Sequence, residues 1–313
     1  MRILFMGSPE MAIPSFQAVM GTGNVVAVVT QPAKASGRGR KLTPSPISRE
    51  ADAAGIEVMT PTTLKTPDLH NRLHQLKADI AVVVAYGKIL PPEILAVPRL
   101  GCVNLHASVL PELRGAAPIQ WAIARGYTET GVTLMQMDEG MDTGPVLMQR
   151  TTPIDQEETA ADLGIRLAQM GADLLREGLP LLDRGELPAV RQDDSRATYA
   201  PLLTKADGLI DWTLPVDEIA KRVRGFYPWP GTYTMGPRGR LLIVKARALG
   251  EKHQVRPGTI TAADSKGIHI ACGDGILNVL AVKPEGKREM TVREFLTGHR
   301  MEPGETLGNH GKG

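Results

Sequence analysis

The chain has 313 residues, 42% apolar and 22% charged, with a formal net charge of +2: ordinary values for a soluble protein with a core, in one large α/β domain or two domains. Cys102 and Cys272 lie far apart without metal-ligand spacing, so they read as small buried hydrophobes and exclude a disulfide framework or a zinc site. The start, "MRILFMGSPEM", is too brief an apolar run for a signal peptide, and no segment approaches a membrane span; a reducing, cytoplasmic setting is expected.

From the N-terminus, strands alternate with helices. "RILFMG" (2–7) and "NVVAVVT" (24–30) are apolar on both faces, as parallel strands covered by helices should be, and "PEMAIPSFQAVM" between them fits a short crossover helix. Gly7 invites a dinucleotide reading, but "FMGSPEM" lacks the three-glycine fingerprint that lets a pyrophosphate approach a helix start. "KASGRGRKLTPSP" (34–46) follows a strand end and carries Arg38, Arg40 and Lys41 among two glycines, ahead of two prolines. Such a loop suits an anionic partner, yet it lacks the G-K-[ST] ending of a phosphate-binding loop.

Next come a helical "PDLHNRLHQLK" and the strongest strand, "DIAVVVAY" (79–86). "GCVNLH" is another strand, "GAAPIQWAIARG" a helix, and "TGVTLMQM" and "GPVLMQR" two strands around a polar turn. "EETAADLGIRLAQMGADLLREG" has apolar residues three and four apart and makes a long amphipathic helix. Together these form a βαβ domain over residues 1–188. "PAVRQDDSRATYAP" has little periodicity, which makes 189–204 a linker. In 205–313 short strands dominate, "LLIVKARA", "GIHIAC" and "ILNVLAV", and predict a small antiparallel sheet or barrel. The final "GNHGKG" is expected to be disordered. Charge divides with the pattern: residues 1–204 hold 19 Lys or Arg against 22 Asp or Glu, whereas 205–313 hold 17 against 12, a basic balance that attracts a polyanion.

The chemistry gathers where the apolar strand "GCVNLH" gives out. Function in open α/β sheets tends to lie beyond the carboxyl ends of strands, and Asn104, His106 and Ser108 alternate there. Asn104 offers uncharged N–H donors for an oxygen that becomes negative, and His106 an acid, base or donor near neutral pH. Two residues apart on a strand, they share a face. Ser108 lacks the G-x-S-x-G setting of an activated nucleophile, and "SVLP" reads as backbone lining a pocket. In "MDEGMDTGPV", Asp142 stands between glycines and between strands, where a carboxylate can orient His106 and stabilise its protonated form; the acids do not follow the calcium-loop spacing. "ILPPEIL" (89–95), with the "SVLP" edge, is suited to flank a flat ring.

"NLHASVLPELRGAAPIQWAI", "TGVTLMQMDEGMDTGPVL", "GRGRKLTPSP" and "RVRGFYPWPGTYT" closely resemble the folate-dependent formyltransferase family, and within it the branch acting on methionyl-tRNA, over essentially the whole chain. The resemblance implies a Rossmann-like, mostly parallel first domain and a second barrel of the oligonucleotide-binding type. It implies that Asn104, His106 and Asp142 are the catalytic trio, that Ser108, Val109, Leu110 and Pro111 contact the folate, and that Arg38 belongs to a loop entering the tRNA acceptor arm. Arg40 and Lys41 beside it, and Lys221, Arg222 and Arg224 in "VDEIAKRVRGF", are further expected tRNA contacts. Glu112 stands where many relatives carry a basic residue, and Arg114 is expected to compensate.

The implied reaction moves a formyl group from 10-formyltetrahydrofolate to the α-amine of methionyl initiator tRNA, without a metal, in a monomer. Rival readings are a formyltransferase for a small acceptor, a hydrolase of the formyl-folate, and a catalytically silent tRNA-binding protein. The trio argues against the last. The 109 residues from Lys205, superfluous for a small acceptor, argue against the first.

Overall fold

The computed structural model describes residues 1–36, 41–236 and 239–308. It divides into two units: Met1–Pro118, Glu129–Pro153 and Gly164–Pro201 in the first, Ile119–Thr128, Ile154–Leu163 and Leu202–Gly313 in the second. From residue 309 onward the expected C-terminal disorder falls outside the described residues.

The first unit opens with β1 (Arg2–Gly7), α1 (Ile13–Thr22) and β2 (Asn24–Val29), then a hairpin of β3 (Lys34–Ser36) and β4 (Lys41–Thr43). It continues through α2 (Pro46–Ala53), β5 (Val58–Met59), α3 (Pro67–Leu76), β6 (Ile80–Val84), α4 (Pro92–Leu95) and β7 (Cys102–His106). After α5 (Pro118–Ala124), which from Ile119 belongs to the second unit, come β8 (Glu129–Gln136), β9 (Val146–Pro153) and α6 (Ala160–Asp183), which joins the first unit from Gly164. The seven strands order as β5-β2-β1-β6-β7-β8-β9. Those from β5 to β7 pair in parallel, and β8 and β9 join antiparallel. The order doubles back at β1, with β2 and β5 on one side and β6 and β7 on the other. This is the Rossmann-like, mostly parallel sheet expected, and the double-back opens a crevice beyond the strand ends.

Burial explains the apolar runs. Ile80 to Val84 of β6 are all buried, and Leu4, Met6, Ala81, Val83 and Cys102 pack with Leu73 and Leu76 of α3 into one core. α6 approaches the sheet through two glycines: a side chain at Gly171 would strike Leu105 of β7, and one at Gly178 would come within 2.9 Å of Leu134 of β8. The helix runs past Gly178 and Pro180 to Asp183, beyond the end its sequence pattern suggests. Pro180 removes one helical N–H, but the fully buried Leu175 and Leu179 hold the last turns.

In the second unit, α7 (Val216–Gly225) is followed by β10 (Thr232–Gly236), β11 (Gly239–Leu249), β12 (Ile260–Asp264), β13 (Gly267–Ala271), β14 (Ile276–Pro284), β15 (Met290–Thr291) and α8 (Val292–Gly298). The antiparallel order is β10-β11-β14-β13-β12, with β15 on β14. The amide of Leu307 bonds the Gly258 carbonyl ahead of β12, and that of Gly308 bonds the Met235 carbonyl of β10, so the last described residues link both edges and close a small barrel. Val216, Ile219 and Val223, at helical spacing, seat α7 on a core with Trp212, Ile243, Ile270 and Val279.

Candidate active site

β7 lies between β6 and β8, with Asn104 in register with Val83 on one side and Met135 on the other. Asn104 is half-buried, and His106, on the same strand face, is 6% exposed. The imidazole is bonded at one ring nitrogen and faces a carboxylate at the other. Its Nε2 lies 3.0 Å from the Leu113 carbonyl, and its Nδ1 lies 3.6 Å from Oδ2 of Asp142.

Asp142 reaches this position from the β8–β9 connection with φ of +55°, a left-handed conformation that Asp tolerates better than most residues. Its Oδ2 also accepts from the Gly115 amide at 2.8 Å. The loop is shaped by Asp138, whose carboxylate accepts from the Gly140 amide and the Thr143 hydroxyl at 3.0 and 2.7 Å, and by Gly144, where any Cβ would strike the Gln136 carbonyl. Among the described residues no group of three or more His, Cys, Asp or Glu is placed to hold a metal ion.

The segment 108–115 forms the other wall. Ser108 is fully buried and its hydroxyl donates to the Glu112 carbonyl at 2.6 Å, so it closes a turn and is not a free nucleophile. Thr133 of β8 donates to the Ser108 carbonyl, Gln149 of β9 donates to that of Leu110, and the Glu112 amide takes that of Val109. The carbonyls of Ser108, Val109 and Leu110 are therefore engaged within the protein, and the side chains of Val109 and Pro111 are half-buried. Leu113 is buried with φ of +58°. A leucine in that region costs about 1–3 kcal/mol, which the surroundings must offset. Arg114, expected to face nucleic acid, is only 2% exposed; its guanidinium bonds Gln192 and Asp194. It does not offset the charge of Glu112 at the surface.

A cleft of about 500 Å³ opens in the same unit, lined by Leu64, Lys88, Ile89, Pro91 and Glu139 among others. Ile89 stands 80% exposed, an apolar side chain without cover, while Lys88 holds the opposite strand of chain by donating to the Pro61 and Thr62 carbonyls. The lining mixes Leu64, Ile89, Leu90 and Pro91 with Lys65, Lys88 and Glu139, and includes none of Asn104, His106 and Asp142.

Of the expected nucleic-acid contacts, Arg38 and Arg40 lie outside the described residues, and Lys41 begins β4 opposite Ser36. Arg222 pairs with Glu218 one helical turn earlier at 2.7 Å. Arg224 is half-buried, donates to the Glu158 carbonyl at 3.0 Å, and burial draws its guanidinium below the ordinary value. Lys221 runs over Gly126, where a Cβ would lie 2.9 Å from its Nζ. These contacts are all internal to the second unit. Gly115, Gln192 and the Leu113 carbonyl are not marked by motif; the "RG" after the proline is a local signal for the first, and nothing local marks the others.

The formyl transferase family profile matches residues 1–179, and the profile of the formyl transferase C-terminal domain matches 202–300. Fold and site thus define a formyl transferase with its C-terminal domain. Methionyl-tRNA formyltransferase of Myxococcus xanthus (strain DK1622) is 48% identical over 303 residues, covering 97% of this chain and 96% of the relative. That of Geobacter sulfurreducens is 44% identical over 312 residues, covering 99% and 98%. The chain belongs to the methionyl-tRNA formyltransferase family. Among solved structures, the N-formyltransferase from Helicobacter canadensis in complex with folinic acid and dTDP-3-aminofucose superimposes with TM-score 0.68 at 18% identity, over 92% of this chain and 99% of that one. HypX from Aquifex aeolicus with tetrahydrofolic acid gives 0.62 at 19%, over 97% and 49%. At these identities the likeness is one of fold.

Proposed function

We propose that this chain transfers the formyl group of 10-formyltetrahydrofolate to the α-amine of methionyl initiator tRNA, giving formylmethionyl-tRNA for translation initiation. The observation that carries this reading is the buried His106 at the end of β7, set 3.6 Å from Asp142 and two residues from Asn104 in a chain of this family. Residues 1–188 are the catalytic part, 189–204 the connection, and 205–313 the tRNA-binding part. The enzyme acts as a monomer in the cytoplasm. Among the described residues no helix is long and apolar enough to cross a membrane.

The attacking amine adds to the formyl carbon, forming a C–N bond while the carbonyl π pair moves to oxygen. Asn104 and protonated His106 donate to that oxygen, and a donor of this kind contributes about 3–4 kcal/mol to the transition state. The amine's proton passes to Asp142, whose separation from His106 is longer than a hydrogen bond and leaves the carboxylate able to accept. The folate N10 takes that proton from Asp142 as its bond to the formyl carbon breaks and the pair on oxygen re-forms the carbonyl. Charge on the imidazolium, the carboxylate and the oxygen stays within one small cluster throughout. Val109 and Pro111, with Ile89 and Pro91 of the cleft, hold the folate ring. Arg38, Arg40, Lys41, Lys221, Arg222 and Arg224 contact the tRNA, a role supported by the basic balance of the second part and by a loop rich in Arg and Gly.

Replacing His106 with Ala is expected to lower the single-turnover rate by about 10²-fold or more while folate affinity stays near the parent value. A His106→Ala enzyme with an unaltered rate would remove this site from the reaction.

A further inference from the structure

Residues 190–200 carry no helix or strand of length, yet they are fastened at both ends to the candidate site. Val190 exchanges backbone hydrogen bonds of 2.8 and 2.9 Å with Val146 at the head of β9. Two residues on, Gln192 is buried and its side-chain amide is fully used. Nε2 donates to the carbonyls of Asp142 and Gly144 at 2.8 and 2.7 Å, and Oε1 accepts from Nε and Nη2 of Arg114 at 3.1 and 2.8 Å. The amide has one workable orientation, because a flip would set its N–H groups against the guanidinium and its oxygen against two carbonyls.

Farther along, the Thr198 hydroxyl accepts from the Leu113 amide at 2.9 Å, the Thr198 carbonyl from the Arg114 amide at 2.9 Å, and Ala200 donates to the Arg114 carbonyl at 2.7 Å. The approach is close: a Cβ on Gly115 would lie 2.6 Å from the Ala200 carbonyl. One segment thus holds two loops. The first carries Asp142. The second supplies the Leu113 carbonyl to His106 and the Gly115 amide to Asp142. Both loops contain a non-glycine residue in the left-handed region, Asp142 and Leu113, a conformation that persists only where the surroundings impose it.

We propose that Gln192, backed by Arg114, is a positioning residue for formyl transfer. It fixes the Asp142 loop against the 113–115 loop and so sets the geometry between the Asp142 carboxylate and His106. The inference rests on the reading of Asp142 and His106 as reacting groups. Gln192 touches neither substrate nor reacting atom; it acts through the Asp142 backbone.

Gln192→Glu separates anchoring from positioning. It keeps the length and adds charge attraction on the Arg114 side, but sets a carboxylate against the two carbonyls. A residue that merely anchors Arg114 tolerates this change, and one that positions Asp142 does not. The test is a cycle of the parent, Gln192→Glu, Asp142→Asn and the double variant, with 10-formyltetrahydrofolate and methionyl initiator tRNA as substrates. It records kcat, both KM values and the thermal midpoint of each.

In the parent background Gln192→Glu is expected to lower kcat by about 10- to 100-fold, the scale of a displacement near 1 Å in a reacting pair. Both KM values should change by no more than about twofold. In the Asp142→Asn background the same substitution should cost no more than about twofold. If the full loss recurs without the Asp142 carboxylate, the positioning role is overturned and the proposed reaction stands. If Asp142→Asn itself turns over at the parental rate, Asp142 is not a reacting group and the positioning role falls with it. Should Gln192→Glu fail to fold, Gln192→Met, which also lacks the two donors, takes its place in the cycle with the same expectations.

Discussion

At the end of β7 a buried imidazole meets a carbonyl at one nitrogen and a carboxylate at the other, while a neighbouring amide makes no hydrogen bond among the described residues. That asymmetry assigns different work to the two side chains. His106 is oriented by the protein, whereas on the proposed reading the amide of Asn104 is the donor to the developing oxyanion. Asn104→Ala is therefore expected to lower kcat by about 10²-fold, the usual loss for one oxyanion donor, without unfolding the sheet. Steady-state rates with a thermal melt check this; an unchanged kcat would move the oxyanion elsewhere. The pair was legible in the sequence because polar residues at alternate positions ending an apolar strand share one face. Asp142 was legible from its glycine-flanked loop between strands. Gln192 and Arg114 were not, since their partners lie 50 and 78 positions away and are found only once the chain is folded.

Elements were read from the chain most cleanly where one period ruled. The all-apolar β6 and the amphipathic α6 are such cases, and each is found close to its expected place. The stretch after Leu187 shows no period, since its residues are tied to loops by individual side chains and scattered backbone bonds and not by a repeating ladder; absence of periodicity there says nothing about attachment. Caps, too, are local enough to test alone. At α8, Thr291 and Glu294 form a reciprocal capping box, with the Thr291 amide donating to Glu294 at 2.8 Å. That amide, then Arg288, then the Thr291 hydroxyl pull the Glu294 carboxyl down to about 2 from an ordinary 4.5. Because the folded value is the lower one, the stabilisation is complete above 4.5 and is lost as the pH falls toward 2. Glu294→Gln should thus lower the unfolding midpoint at pH 6, and the gap from the parent should close toward pH 2. Denaturant melts at the two pH values measure it, and a gap independent of pH would mean that the carboxylate charge is not what holds the cap.

On the scale of the whole molecule, the two units differ in what they supply. The first holds the polar cluster at the end of β7; the second, a small barrel, holds the basic excess that the sequence shows from Lys205 onward. A large acceptor gripped far from the reacting amine can contribute binding energy to the transition state, and a small acceptor with the same amine cannot. The choice between them is settled by comparing kcat/KM for formyl transfer from 10-formyltetrahydrofolate to methionyl initiator tRNA and to free methionine, with the parent enzyme. The expected result is a preference of at least about 10³-fold for the tRNA, falling as salt releases the phosphate contacts. Equal kcat/KM for free methionine would contradict the assignment of this chain to methionyl-tRNA.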